Sequence, residues 1–227
     1  MPLLIKICGL TTPEALEVSL ESGADMVGFV FFGPSPRNLS LKAVEGLAPQ
    51  VRGRALKVAL TVNATDDLLH DIVDALKPDL LQLHGTEPVE RVAVVRSRFG
   101  LPVMKALPIA TRADLSPIRL YAKVADRLIF DARAPVDATR PGGLGTPFDW
   151  TLLKGVDAGV PYMLSGGLTV ENVAEAIAIT GAPGVDVSSG VESSPGVKDP
   201  DMIRAFIRAA RQAEPLQLGA SQIASNA

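Results

Sequence analysis

The feature that most constrains this chain is a repeating alternation: short apolar runs rich in β-branched residues, separated by longer helical patterns. The predicted strands are Leu3–Cys8, Met26–Phe32, Ala55–Val62, Leu80–His84, Val103–Leu107, Leu128–Asp131, Tyr162–Ser165 and Val185–Ser188. Most are continuously apolar, as expected of strands covered by helices on one side and by a packed interior on the other. The segments between them carry helix start and stop chemistry. Thr12-Pro13-Glu14 offers a cap, a proline at the first position and an acid in the first turn, and Glu21-Ser22-Gly23 ends that helix. Thr65-Asp66-Asp67, Thr86-Glu87-Pro88, Thr169-Val170-Glu171-Asn172 and Asp199-Pro200-Asp201 are read as further starts. Strict alternation predicts a parallel sheet, and about eight units in 227 residues favour a closed (β/α)8 barrel over an open doubly wound sheet. No composition break marks a second domain, so 1–213 reads as one barrel. The stretch 214–227 lacks periodicity and is predicted to be frayed or disordered, with a terminal helical turn as the alternative.

Composition narrows the function classes. Apolar residues make up 47 % but aromatics only 4 %, so aliphatic side chains must fill the core. The net charge of −3, with both signs interspersed, argues against a nucleic-acid surface. No apolar run reaches the roughly 20 residues a membrane span needs. The N-terminus lacks a basic region ahead of an apolar stretch, so no signal peptide is read. Cys8 is the single cysteine, which excludes an intrachain disulfide and any cysteine-clustered metal site and fits a reducing cytoplasm.

In a barrel of this kind chemistry sits at the C-terminal ends of the strands, and phosphate sites commonly form from the loops after strands seven and eight. Those loops read Ser165-Gly166-Gly167-Leu168 and Ser188-Ser189-Gly190-Val191. Their small residues let backbone N–H groups approach a phosphate closely, which makes Gly166, Gly167, Ser189 and Gly190 phosphate-binding candidates. Cys8 ends strand one and Asp131 ends strand six, across the mouth from each other. A thiol and a carboxyl facing one another suit proton transfer at two points of one substrate. The alternatives are a thiol serving as a small core hydrophobe, and an Asp131 that caps a helix or pairs with Arg133. Strand alternation puts Lys6 one layer below Cys8 and Asp186 on the neighbouring strand eight, which predicts a Lys6–Asp186 pair. Lys6 would then also favour the Cys8 thiolate; a purely structural pair is the other reading. Gln82 and His84 share a face of strand four, with His84 at its end as a site candidate, and Arg37 could clamp a carboxylate with two parallel bonds. Two well-separated histidines offer no metal-ligand set. No Gly-x-Gly-x-x-Gly follows a strand and no Walker sequence is present, so nothing calls for a nucleotide cofactor. The glycine-rich connection 134–150 is long for its position and is read as a mobile lid or an irregular loop.

Taken together, Lys6-Ile7-Cys8-Gly9, Gly28-Phe29-Val30-Phe31 with Ser35-Pro36-Arg37, Leu81-Gln82-Leu83-His84-Gly85, Asp131, Gly142-Gly143-Leu144-Gly145 with Phe148-Asp149-Trp150, Ser165-Gly166-Gly167-Leu168 and Gly184 to Glu192 resemble the phosphoribosylanthranilate isomerase family of tryptophan biosynthesis. The resemblance runs from Lys6 to about Arg211. It implies a cofactor-independent Amadori rearrangement of N-(5-phosphoribosyl)anthranilate, a small-molecule substrate, in a cytoplasmic monomer or homodimer. It assigns Asp131 as general acid toward the furanose ring oxygen and Cys8 as general base at ribose C2. Arg37 would hold the anthranilate carboxylate, and Gly166, Gly167, Ser189 and Gly190 the phosphate; Gln82, His84 and Asp186 complete the expected substrate site. One departure stands out: where the family lid usually reads Gly-Gly-Thr-Gly-Lys-Thr-Phe-Asp-Trp, this chain has Leu144, Thr146 and Pro147. Altered substrate affinity or product release is expected from it, not lost chemistry. Two other readings compete: an aldolase using Lys105 as a Schiff-base lysine, and a non-catalytic binding barrel.

Overall fold

The computed structural model describes residues 2–135, 137–143, 145 and 147–213. Eight parallel strands close on themselves in sequence order: β1 (Leu4–Cys8), β2 (Met26–Phe31), β3 (Leu56–Thr61), β4 (Leu80–Leu83), β5 (Val103–Ile109), β6 (Arg127–Ala132), β7 (Tyr162–Leu164) and β8 (Gly184–Val187). Each predicted strand is present, with ends shifted by a residue or two. Closure is made by β1, which pairs with β2 on one side and β8 on the other, so Lys6 sits opposite both Met26 and Asp186.

The helices form where their caps dictate. Helix α1 (Pro13–Glu21) begins at Thr12, whose hydroxyl accepts the Ala15 N–H at 3.2 Å. Helices α2 (Leu41–Val51) and α3 (Asp66–Leu76) are capped in the same way by Ser40 and Thr65. Helix α4 (Val89–Phe99) starts without a side-chain cap because Pro88 holds the cap position and has no side-chain acceptor; Glu87 before it accepts from the Asn63 and Gly85 N–H groups and the Lys105 Nζ. The β5–β6 connection holds only a 3-10 turn and the short α5 (Ile118–Tyr121), and β6–β7 has a 3-10 turn, Trp150–Leu153, among its described residues. The alternation is therefore less strict there than the sequence pattern predicts. Helix α6 (Val173–Thr180) precedes β8, and α7 (Pro200–Gln212) closes the ring. Along α7, Ile203, Phe206, Ile207 and Ala210 are buried at a helical spacing that turns one stripe onto the barrel. After β8 comes a hairpin, β9 (Glu192–Ser194) with β10 (Val197–Lys198), that the sequence pattern does not anticipate.

The main core lies between barrel and helices. Inside the barrel, Met26, Val58, Leu80, Met104, Ile129 and Met163 fill the lower part, flexible methionines suiting the tapered space. Above this apolar plug the inward positions turn polar. Lys6, Gln82 and Asp186 are all buried, with Cys8 and Asp131 higher still at strand ends. A dry floor beneath a polar layer is what confines reactive groups to the mouth.

Candidate active site

A cleft of about 860 Å3 of empty space opens at the C-terminal ends of the strands. Cys8, Arg37, His84, Asp131, Gly166 and Ser189 are among the residues lining it.

Cys8 lies at the end of β1, only 3 % exposed. Space for its thiol comes from the next strand: a methyl group at Gly28 would stand 2.9 Å from the Cys8 Sγ and 3.2 Å from the Lys6 Cε. The expected Lys6–Asp186 pair forms, Nζ to Oδ1 at 2.7 Å, and the other Asp186 oxygen accepts the Ser165 hydroxyl at 3.1 Å. Burial pushes the Cys8 thiol above its ordinary pKa; Lys6 pulls it down, Asp186 pushes it up, and Lys198 also pulls it down. The predicted help from Lys6 is real in direction but outweighed by burial, so the resting group is a thiol. For Lys6 itself burial opposes the charge, and Asp186 with Cys8 more than offsets it, holding the ammonium above its usual range.

Asp131 ends β6 and projects into the cleft. Its Oδ1 accepts the Ala132 N–H at 2.9 Å and its Oδ2 lies 2.9 Å from the His84 Nε2. Arg133 pairs instead with Asp114, so the alternative of an Asp131–Arg133 pair does not hold. Gln82 is fully buried, does not line the cleft, and places its amide nitrogen 3.0 Å from the His84 Nδ1. An amide N–H donated there leaves the imidazole proton on Nε2, aimed at Asp131. In this placement Gln82 supports His84 from an inward position on the strand, below the mouth.

Arg37 departs from expectation in a more informative way. It is 4 % exposed, and its fork is already engaged. Nε and Nη2 each donate at 2.7 Å to the two carboxylate oxygens of Glu192. Among the described residues only the Nη1 edge is left without a hydrogen-bond partner. Gly143 passes directly over it, where a methyl group would come within 2.6 Å, and Gly142 covers the acid pair, where one would stand 2.5 Å from the Asp131 Oδ2. Arg140 joins the same strip, lining the cleft and pointing Nη2 toward the Gly143 carbonyl.

The two glycine loops meet as predicted. Gly166 has φ +85° and lies so close to β6 that an added methyl would stand 2.3 Å from the Ala132 nitrogen. Gly166, Gly167 and Ser189 line the cleft, and Ser188 ties the second loop to β1 by donating to the Cys8 carbonyl at 3.0 Å. Gly190 does not line the cleft. Its Cα packs against the first loop, where a methyl would overlap the Leu168 carbonyl at 1.8 Å, so it sets the distance between the loops. Asp186 lines the lower wall, its oxygens taken by Lys6 and Ser165.

Glu192 and Lys198 are the residues sequence reasoning missed. Both side chains are buried, and the Lys198 Nζ lies 2.7 Å from the Glu192 Oε1. Lys105, the aldolase candidate, faces away from the mouth, donating to Glu87 at 2.9 Å and to the Leu83 and Gly85 carbonyls. Among the described residues no three His, Cys, Asp or Glu side chains converge as metal ligands.

Residues 5–209 match the family model described as N-(5'phosphoribosyl)anthranilate (PRA) isomerase. The chain belongs to that family. It is 66 % identical over 211 residues to the N-(5'-phosphoribosyl)anthranilate isomerase of Bradyrhizobium diazoefficiens, covering 93 % of this chain and 95 % of that one. The corresponding protein of Nitrobacter winogradskyi is 62 % identical over 214 residues, covering 94 % and 95 %. Among solved structures, phosphoribosyl anthranilate isomerase from Thermotoga maritima superposes with a TM-score of 0.84 at 35 % identity, covering 92 % of this chain and 99 % of that one. A phosphoribosyl anthranilate isomerase bound to reduced 1-(o-carboxyphenylamino)-1-deoxyribulose 5-phosphate superposes with a TM-score of 0.81 at 33 % identity, again covering 92 % and 99 %. The family's barrel is thus the fold of this chain, and an isomerase is the activity its relatives carry. Of the three lid departures, Leu144 and Thr146 lie outside the described residues, as does the stretch 214–227; Pro147 is exposed. No helix among the described residues is long and apolar enough to cross a membrane.

Proposed function

We propose that the chain isomerises N-(5'-phosphoribosyl)anthranilate to 1-(2-carboxyphenylamino)-1-deoxyribulose 5-phosphate in tryptophan biosynthesis, with Asp131 as general acid and Cys8 as general base. The observation that carries this reading is the placement of one thiol and one carboxyl on opposite strands of a single cleft, with the two glycine loops beside them. The molecule bound by the ligand-bearing relative, a reduced carboxyphenylamino deoxyribulose phosphate, has the three parts such a cleft must hold: an acidic ring, a sugar and a phosphate.

In this reading the phosphate lies against Gly166, Gly167 and Ser189, where bare backbone N–H groups suit its charge. The ring carboxylate faces the Nη1 edge of Arg37. Asp131 gives its proton to the furanose ring oxygen. The C1–O bond breaks and the amine nitrogen's lone pair forms the C1=N Schiff base. The fraction of Cys8 present as thiolate then takes the proton from C2, and the electron pair moves into a C1=C2 enolamine as the C1=N pair returns to nitrogen. Protonation at C1 by the Cys8 thiol and loss of the enol proton to the Asp131 carboxylate give the aminoketone and return both groups to their starting states, so no proton is gained or lost overall. His84 keeps the Asp131 carboxyl turned toward the ring, and Gln82 keeps His84 in place. Each transfer is of the kind that contributes roughly 10² to 10⁴ in rate.

The whole of 1–213 serves as one isomerase domain in this proposal, acting on a soluble phosphoribosyl metabolite in the cytoplasm as monomer or homodimer. Expression in a tryptophan auxotroph lacking the isomerase tests it: growth without tryptophan is expected, and failure of a well-expressed protein to restore growth contradicts it.

A further inference from the structure

Glu192 is saturated. Its Oε1 accepts Arg37 Nε and Lys198 Nζ, each at 2.7 Å. Its Oε2 accepts Arg37 Nη2 at 2.7 Å and the Gly196 N–H at 3.1 Å. Four donors leave the carboxylate no capacity for substrate, and they fix it from two elements, the Arg37 loop and the β9–β10 hairpin. The Glu192 side chain is 3 % exposed and that of Lys198 1 %. The cluster therefore holds two cations against one anion in a buried place beside the mouth. Buried charge without a partner is costly. Here one of the two cations, Arg37, lines the cleft.

The geometry of the pair adds direction to that charge. A guanidinium gripped along its Nε–Nη2 edge cannot turn, because both bonds to Glu192 lie in its plane. What remains is the Nη1 edge, at the position over which Gly143 passes. A lone Arg37 on its loop could swing; a gripped one presents the same edge to every ligand.

We propose that Glu192, anchored by Lys198, is a positioning residue that aims Arg37 at the carboxylate of the substrate's ring, so that the triad selects ring-carboxylated substrates over uncharged ones. The proposal rests on the reading of Arg37 as the carboxylate-binding residue. Glu192 touches no substrate. It works by removing the rotational freedom of Arg37 and by the net positive charge that Lys198 restores to the cluster.

The test compares two substrates, N-(5'-phosphoribosyl)anthranilate and N-(5'-phosphoribosyl)aniline, which differ only in the ring carboxylate. Wild type, Glu192→Gln, Glu192→Asp and Arg37→Gln are assayed with both, after thermal melts establish folding. Glu192→Gln is expected to raise KM for the carboxylated substrate about tenfold while leaving kcat within roughly threefold, and to leave KM for the aniline substrate unchanged. Glu192→Asp, which keeps the charge but withdraws it by one methylene, is expected to recover part of the loss; it also carries the same comparison if Glu192→Gln does not fold. A Glu192 variant that weakens both substrates equally, or neither, overturns the inference. Arg37→Gln separates this from the reading beneath it. If Arg37→Gln abolishes discrimination and the Glu192 variants keep it, only the inference fails. If Arg37→Gln keeps the wild-type ratio between the two substrates, the carboxylate role of Arg37 fails and the inference with it.

Discussion

The His84 imidazole meets the Asp131 carboxyl at 2.9 Å, and it does so from the end of β4 while Asp131 stands on β6, with β5 between them. The pair bridges over the intervening strand, where Pro108 stands in register with Asp131, and Ala106 and Pro108 line a cavity together with His84 and Asp131. Its backing by Gln82 makes a three-residue chain running from the barrel interior to the cleft. Removing the middle member should damage Asp131 without removing it. His84→Phe is expected to lower kcat by about 10- to 100-fold with little change in KM. Gln82→Leu should cost less, and the double variant no more than His84→Phe alone, because Gln82 acts only through His84. Steady-state kinetics on the three proteins checks this; additive losses would show that Gln82 acts independently.

The thiol can be read out alone, since Cys8 is the only cysteine. The pH dependence of its alkylation by iodoacetamide should have its midpoint above the ordinary thiol value of 9.0, since burial opposes the thiolate. Its neighbours should move that midpoint in opposite directions. Lys6→Met removes a cation that favours the thiolate and should shift the midpoint up. Asp186→Asn removes an anion that disfavours it and should shift the midpoint down. Shifts of the same sign in the two variants would contradict the arrangement.

Two glycines serve by absence of a side chain rather than by turn geometry. Gly28→Ala would put a methyl group 2.9 Å from the Cys8 Sγ, and Gly190→Ala one 1.8 Å from the Leu168 carbonyl. Each should destabilise by about 1 to 3 kcal/mol, the usual cost of overpacking. Their kinetic effects should differ. Gly28→Ala displaces the base and should lower kcat, whereas Gly190→Ala spreads the phosphate loops and should raise KM. Thermal melts paired with kinetics test both halves.

Lys198 gives a pH signature in stability. Burial pulls its pKa down from 10.5 to about 8, against the opposing pull of Glu192. Between those two values the unfolded chain binds the proton more tightly than the folded one, so stability rises with pH through that window. The contribution is fully present above 10.5 and is lost as pH falls through about 8. Relative to Lys198→Met, the wild-type unfolding free energy should therefore increase between pH 8 and 10.5, by roughly 3 kcal/mol at most. Denaturant melts of both proteins across that range check the slope; a flat difference would mean that Lys198 is not a strained buried cation.

The barrel is legible in the sequence because its signals are local. Caps such as Thr12 and Thr65, and apolar runs such as Met26–Phe31, act within a few residues, and eight repeats of one pattern leave few architectures. The Lys6–Asp186 pair is legible for a related reason: alternation fixes which face each residue takes, and closure makes β1 and β8 neighbours. The hairpin holding Glu192 and Lys198 is not, because two strands of three and two residues carry no periodicity. Hence Arg37 stands out in the sequence while the partner that occupies its fork does not. The support of His84 by Gln82 is not legible either, because sequence shows which face a residue takes but not its depth along the strand.

The central claim is that Cys8 and Asp131 divide the proton transfers between them, and the most direct measurement is turnover of Cys8→Ala and Asp131→Ala on N-(5'-phosphoribosyl)anthranilate. Each variant should fold, since each removes only a side chain at the mouth, and each should lose about 10² to 10⁴ in kcat. Near wild-type turnover in either folded variant would contradict the account.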